Sequence, residues 1–206
     1  MSDYMFLFDL DSTISRQEIL PTVSARIGKQ KEMWDLTEAA MRGEIPFKRS
    51  FLSRVELLKE IDVSEVNDIV SGIPLNVEIT DFILRNKERC FVLTGNLDVW
   101  ISGLMERIGL MERIGLMNHV YCSRANVKDD RITDVISVVD KELMSRQFVQ
   151  PLVVIGDGDN DSGMARNADI AIGFGGVRKI APSLLNCIDY AFYDDKRCAD
   201  FLETLL

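Results

Sequence analysis

The sequence predicts an α/β fold: a mostly parallel sheet with helices on both faces, and a small helical insert after the first strand. Three observations point there. Apolar runs recur at residues 4–8, 90–93, 120–122, 152–155, 170–172 and 190–193, continuous rather than alternating, as in strands buried on both faces. Helical patterns lie between several of them, the alternation that builds βαβ units. Residues 14–73, by contrast, offer no convincing strand and several helical signals.

Taken in order, Tyr4-Met5-Phe6-Leu7-Phe8 is the first strand, stopped by Asp9. In the insert, Met33, Leu36, Ala40 and Met41 fall at helix spacing and Gly43 follows as a stop. Pro46 sits where a first helical turn tolerates it, and Phe47, Phe51, Val55 and Leu58 form the next apolar stripe. Ser64 is the expected N-cap of a helix carrying Val66, Ile69 and Val70, ended near Gly72-Ile73-Pro74. The expected organisation is therefore a core from residues 1–13 and 75–206, with a helical cap domain at 14–74.

Composition narrows the function. With 206 residues, 47% of them hydrophobic, the chain suits one substantial core rather than disorder. Thirty-three acidic against 24 basic side chains, a formal charge of -9, argue against nucleic acid or an anionic membrane as partner, because both need a basic surface. No uncharged apolar run approaches the roughly 20 residues that span a bilayer, and residues 1–11 lack a basic region with a cleavage site, so a cytoplasmic protein is expected. Cys90, Cys122, Cys187 and Cys198 form no CxxC pair and read as reduced thiols.

A tandem repeat interrupts the helix after the second strand. Residues 103–108, Gly-Leu-Met-Glu-Arg-Ile, recur at 109–114, and Gly115-Leu116-Met117 starts a third copy. Six added residues rotate the downstream chain by roughly 240°, away from the face of Leu97, Ile101, Leu104 and Ile108. The copy must loop out, break the helix at Gly109, or bury a second face. A tolerated insertion at a helix end is the expectation; a homodimer through the duplicated segment 103–117 is the alternative.

The chemistry-bearing residues gather at strand ends. Asp9 and Asp11 stand just past the first strand, where ligands bind in an open parallel sheet. Two close acids repel and need a cation between them. The second strand ends in Thr94-Gly95-Asn96, and a later one in Gly156-Asp157-Gly158-Asp159-Asn160-Asp161. Clustered oxygen donors suit a hard cation such as Mg²⁺. An EF-hand is disfavoured because its twelfth position falls on Ala168 rather than Glu. Gly173-Phe174-Gly175-Gly176-Val177-Arg178 carries Arg where a dinucleotide fingerprint needs its last glycine, so it reads as a turn. His119 reads as a loop residue.

The ordered set Asp9-x-Asp11-x-Thr13, Thr94-Gly95-Asn96, Lys141 and 156–161 resembles the four motifs of the haloacid dehalogenase-like hydrolases. The resemblance implies a Rossmann-like core and an aspartyl-phosphate mechanism. On it Asp9 is the nucleophile and Asp11 the general acid and base. Mg²⁺ is held by Asp9, the carbonyl of Asp11 and Asp157, with Asp161 orienting them, and Thr94, Lys141 and Asn160 hold phosphoryl oxygens. The insert, with Glu18-Ile19-Leu20, residues 36–43, Phe47 and 53–58, is similar to the cap of the phosphoserine phosphatases within that family. There the positions of Glu18 and Arg54 bind the ammonium and carboxylate of serine, and those of Met41 and Phe47 close the pocket. The second motif departs from that group at Asn96, where a second glycine is usual. The expected substrate is L-phosphoserine or a similar small phosphorylated metabolite. Transfer of the phosphoryl group to another alcohol, or a binding role on the same fold, are the alternatives.

Overall fold

A computed structural model of the protein describes residues 4–110, 119–148 and 151–206. Strand β1 (Met5–Phe8) leads through a wide turn into four helices, α1 (Ile19–Ser24), α2 (Gln30–Met41), α3 (Phe47–Leu58) and α4 (Val63–Ser71), before α5 (Val77–Arg85), β2 (Cys90–Leu97) and α6 (Asp98–Arg107). The hairpin β3 (Val120–Lys128) and β4 (Arg131–Ser137) comes next, then α7 (Lys141–Ser145), β5 (Leu152–Gly156), α8 (Ser162–Ala165), β6 (Ile170–Phe174), α9 (Pro182–Leu185), β7 (Tyr190–Phe192) and α10 (Asp195–Glu203).

The seven strands form one sheet in the order β4-β3-β2-β1-β5-β6-β7, parallel throughout except for β3 against β4. Strand order reverses at β1, which pairs with β2 on one side and β5 on the other. That reversal opens a crevice at the carboxyl ends of the three central strands. Phe6, Phe8, Val92, Val153 and Ile155 are buried within the sheet, which explains why the strands read as unbroken apolar runs.

Strand β4 has no counterpart among the apolar runs of the sequence. Its apolar residues are sparse and Ile136 is exposed, as suits an edge strand with little to bury. Its turn, Asp129-Asp130, takes φ of 51° and 60° without a glycine, the twisted two-residue connection that hairpins favour. The same turn corrects the N-cap expectation. Ser64 lies inside α4, Asp62 stands at the cap position, and the Asp130 carboxylate accepts from the Ser64 amide at 3.1 Å. The hairpin thus satisfies the open amides of α4 from outside.

Where the helical segment leaves and rejoins the sheet, the two chain passes bridge at Ser15 and Leu75. The Arg16 amide donates to Pro74 O at 2.8 Å and the Asn76 amide to Ile14 O at 2.9 Å. Beyond these links the segment shares one hydrophobic cluster with the sheet, joining Val66 and Val70 to Leu104 and Ile108.

Helix α6 shows how the repeat begins. Its apolar face of Leu97, Ile101, Leu104 and Ile108 is fully buried. The helix then breaks at Gly109, where φ is 66°; the Gly109 amide donates to Glu106 O and the Leu110 amide to Met105 O, a Schellman closure. The turn returns Leu110 to the core, where continued helix would have pointed it away. Met111 and the rest of the second copy lie outside the described residues.

Candidate active site

Because β1 ends in the middle of the sheet, Asp9 follows it into a buried position, its amide donating to Ile155 O at 2.8 Å. The chain then turns sharply over Leu10–Ile14, with Ser12 at φ 57°. The Ser12 amide donates to Ser15 Oγ at 3.2 Å, holding that left-handed residue in place. Both Asp9 and Asp11 come to line a cleft between the sheet edge and the helical segment.

Asp9, Asp157 and Asp161 bring carboxylate oxygens within 4.8 Å of one another, all buried. Lys141, the first residue of α7, reaches into this group: its ammonium donates to Asp9 Oδ1 and to Asp161 Oδ1, the latter at 2.7 Å. Asp161 Oδ2 in turn accepts from the amides of Asp157 and Gly158 at 3.0 and 2.9 Å. Asp161 therefore fixes both the loop after β5 and the lysine.

Burial shapes the ionisation of Asp9, Asp11, Asp157 and Lys141. It raises Asp9 to about 7, assisted by the Asp161 charge and opposed by Lys141. Asp11 rises to about 6 through burial and the Glu18 charge, close to neutrality, where one group can both give and take a proton. Burial also holds Asp157 well above the carboxylate range, with Arg178 opposing. For Lys141 burial works against the charge, but Asp161 and Asp9 outweigh it and keep the ammonium protonated.

Asp157 Oδ1 is buried with no hydrogen-bond partner among the described residues. Such an orphaned carboxyl oxygen, beside two further carboxyl groups, fits a small hard cation with oxygen ligands. The residues present therefore suit Mg²⁺.

The remaining expected residues divide. Gly95 and Asn96 line the cleft, whereas Thr94 is fully buried within β2, its hydroxyl accepting from the Asn96 amide at 3.2 Å. All three belong to β2, and α6 starts only at Asp98. A Cβ on Gly95 would lie 2.3 Å from Phe47 Cζ, so glycine there lets α3 close onto β2. Asn160 also lines the cleft. Arg54 is buried over the rings of Phe47 and Phe51, 5.8 and 5.9 Å from their centroids. Its Nε has no hydrogen-bond acceptor among the described residues. Met41 ends α2.

Arg178 is a site residue that the sequence pattern places only in a turn. Its guanidinium pairs with Asp157 Oδ2 through Nε and with Glu18 Oε1 through Nη1 at 2.8 Å. Glu18 also accepts from the Ser12 hydroxyl at 2.9 Å. The available signal is positional: Arg178 follows β6 at the carboxyl edge of the sheet, where the other functional residues lie.

A parallel sheet whose switch point carries buried aspartates from separate strand ends, joined by one lysine, defines a class of site suited to a divalent ion. The haloacid dehalogenase-like hydrolase model matches residues 6–166, and the chain belongs to that family. It is similar to the phosphoserine phosphatase of Methanocaldococcus jannaschii, 28% identical over 185 residues that cover 82% of this chain and 84% of that one. The phosphoserine phosphatase of Archaeoglobus fulgidus is 29% identical over 82% of this chain, which spans only 52% of that relative's length. Among solved structures, a phospho-aspartyl intermediate analogue of phosphoserine phosphatase superposes with a TM-score of 0.78 at 25% identity, covering 96% of this chain and 97% of that one. Among the described residues no helix is long and apolar enough to cross a membrane.

Proposed function

We propose that this hydrolase is a Mg²⁺-dependent phosphomonoesterase that works through an aspartyl phosphate and acts on L-phosphoserine or a closely similar small metabolite. The observation that carries the reading is the buried meeting of Asp9, Asp157, Asp161 and Lys141, with one Asp157 oxygen left for a cation.

In this reading Asp9 attacks phosphorus in line, an Asp9 oxygen–phosphorus bond forms and the ester oxygen–phosphorus bond breaks. Asp11 gives its proton to the departing alcohol oxygen and later takes one from the water that attacks the acyl phosphate, releasing phosphate and restoring Asp9. Lys141 neutralises phosphoryl charge, and Gly95 and Asn160 border the phosphate region. Asp9, Asp157, Asp161 and the Asp11 carbonyl would hold Mg²⁺, which supplies the positive charge a phosphate dianion needs among so many carboxylates.

Residues 14–74 act as the cap that sets specificity. Arg54 grips the substrate carboxylate, Glu18 takes the ammonium, and Phe47 closes the pocket. The relatives' activity and the unpaired Arg54 Nε both support a carboxylate-bearing substrate. Phosphate release from L-phosphoserine is expected to require Mg²⁺. Replacing Arg54 with Ala should lower kcat/KM for L-phosphoserine roughly 10–100-fold, as loss of a charged bidentate contact does, while phosphoethanolamine, which lacks the carboxylate, changes little. Equal losses on both esters would remove the serine reading, and metal-independent release would remove the Mg²⁺ role.

A further inference from the structure

We propose that Asn96 is a positioning residue for the Asp11 carboxyl group; the inference rests on the reading of Asp11 as general acid. The Asn96 side chain is buried, and its amide nitrogen donates to Asp11 Oδ2. The same nitrogen lies 3.2 Å from Thr94 Oγ1, so its second hydrogen has an acceptor as well. On the other side, Asp11 Oδ1 accepts from the Ile19 amide at 2.9 Å.

Asp11 is therefore held by two neutral donors from different parts of the molecule. Ile19 begins α1 in the helical segment, and Asn96 belongs to the central sheet. An acid on a turn of extended and left-handed backbone has rotamers to choose from, and donors on both oxygens leave it one. The amide orientation is set by chemistry: turned over, it would place its carbonyl oxygen against a carboxylate oxygen. A residue without a side-chain amide at 96 would remove the donor to Oδ2 and let that oxygen swing. Asn96 thus serves proton delivery to the leaving group rather than the grip on phosphate that its place in the second motif implies.

The test compares leaving groups. Asn96→Ala and Asn96→Ser are assayed on L-phosphoserine, whose alkoxide needs a proton, and on p-nitrophenyl phosphate, whose phenolate departs without one. The quantity is kcat/KM, which reports steps through departure of the leaving group. Both variants are expected to lose roughly 10–100-fold on L-phosphoserine, part of what a general acid contributes, and less than about 3-fold on the aryl ester. In an Asp11→Asn background the Asn96→Ala change should add almost nothing, the non-additivity of residues acting as one unit. Circular dichroism confirms folding, and Asn96→Ser carries the test if Asn96→Ala does not fold. Equal losses on both esters, or full additivity with Asp11→Asn, overturn the proposal. A leaving-group split for Asp11→Asn but not for the Asn96 variants overturns it alone. Absence of that split for Asp11→Asn itself overturns the acid reading and the proposal with it.

Discussion

Asp9 stands at the centre of the buried acidic cluster, and its surroundings carry a consequence for stability that can be measured without substrate. In the unfolded chain its carboxyl group titrates near the ordinary 3.8, whereas burial and the neighbouring Asp161 raise it to about 7 in the fold. Between those values the folded state binds more protons than the unfolded one, so this group's stabilisation is present at low pH and is lost as pH rises through about 7. Metal-free protein is therefore expected to melt at progressively lower temperature from about pH 5 to about pH 8. Asp9→Asn should flatten that slope, abolish turnover and leave the far-UV spectrum unchanged. A melting temperature in the variant that falls as steeply as in the parent would count against the buried geometry. The acids themselves are legible in the sequence, because each follows an apolar strand and the carboxyl edge of a parallel sheet is where such residues converge. The contact made by Asn96 is not. Its partner Asp11 lies 85 positions away, and local spacing carries no record of which side chains a sheet brings face to face.

Helix α6 offers a cleaner contrast, since the leading glycine of the repeat serves two purposes. Gly103 sits inside the helix where α4 crosses it, and a Cβ there would lie 2.2 Å from Ser71 Oγ. Gly109, its counterpart in the next copy, ends the helix in a left-handed turn that a side chain rarely adopts. Around the first crossing, the Asn67 carboxamide oxygen accepts from the Ser102 hydroxyl and the Gly103 amide at 3.1 and 3.0 Å, and Arg107 reaches the carbonyls of Ser71 and Ile73. Gly103→Ala should gain about 1 kcal/mol of helix propensity but lose more to the clash, for a net destabilisation of about 1–2 kcal/mol in urea melts. Removing the obstructing hydroxyl with Ser71→Ala in the same chain should recover most of that loss; additive penalties would show that the helices do not approach so closely. Elements with a buried face are readable from sequence, as the stripes of α3 and α6 show. Strand β4 is not, because an edge strand joined by Asp129-Asp130 shows neither a continuous apolar run nor a glycine turn.

The helical segment and the sheet meet at the cleft through a half-buried cation, and that contact belongs to the molecule as a whole. Arg178, carried by the loop after β6, pairs with Asp157 of the sheet edge and with Glu18 at the entry to α1. Burial weakens the hold on its own proton, but the charges of Asp157 and Glu18 outweigh this and keep it charged. Replacing it with Ala would strand two carboxylates with side-chain exposures of 0% and 9%, near Asp9 and Asp161 as well. Breaking a buried pair by removing one partner costs about 3–5 kcal/mol, because the remaining charge is left uncompensated. Arg178→Ala is therefore expected to lower the melting temperature of the metal-free protein by many degrees. A divalent ion beside Asp157 would restore part of the missing positive charge, so Mg²⁺ should raise the melting temperature of the variant more than that of the parent. Arg178→Lys, which keeps the charge but cannot span both carboxylates with a planar fork, should fall between the two. If Mg²⁺ stabilises parent and Arg178→Ala equally, the arginine and the ion act on separate groups, and Asp157 is not the place where the cap's charge and the metal's charge meet.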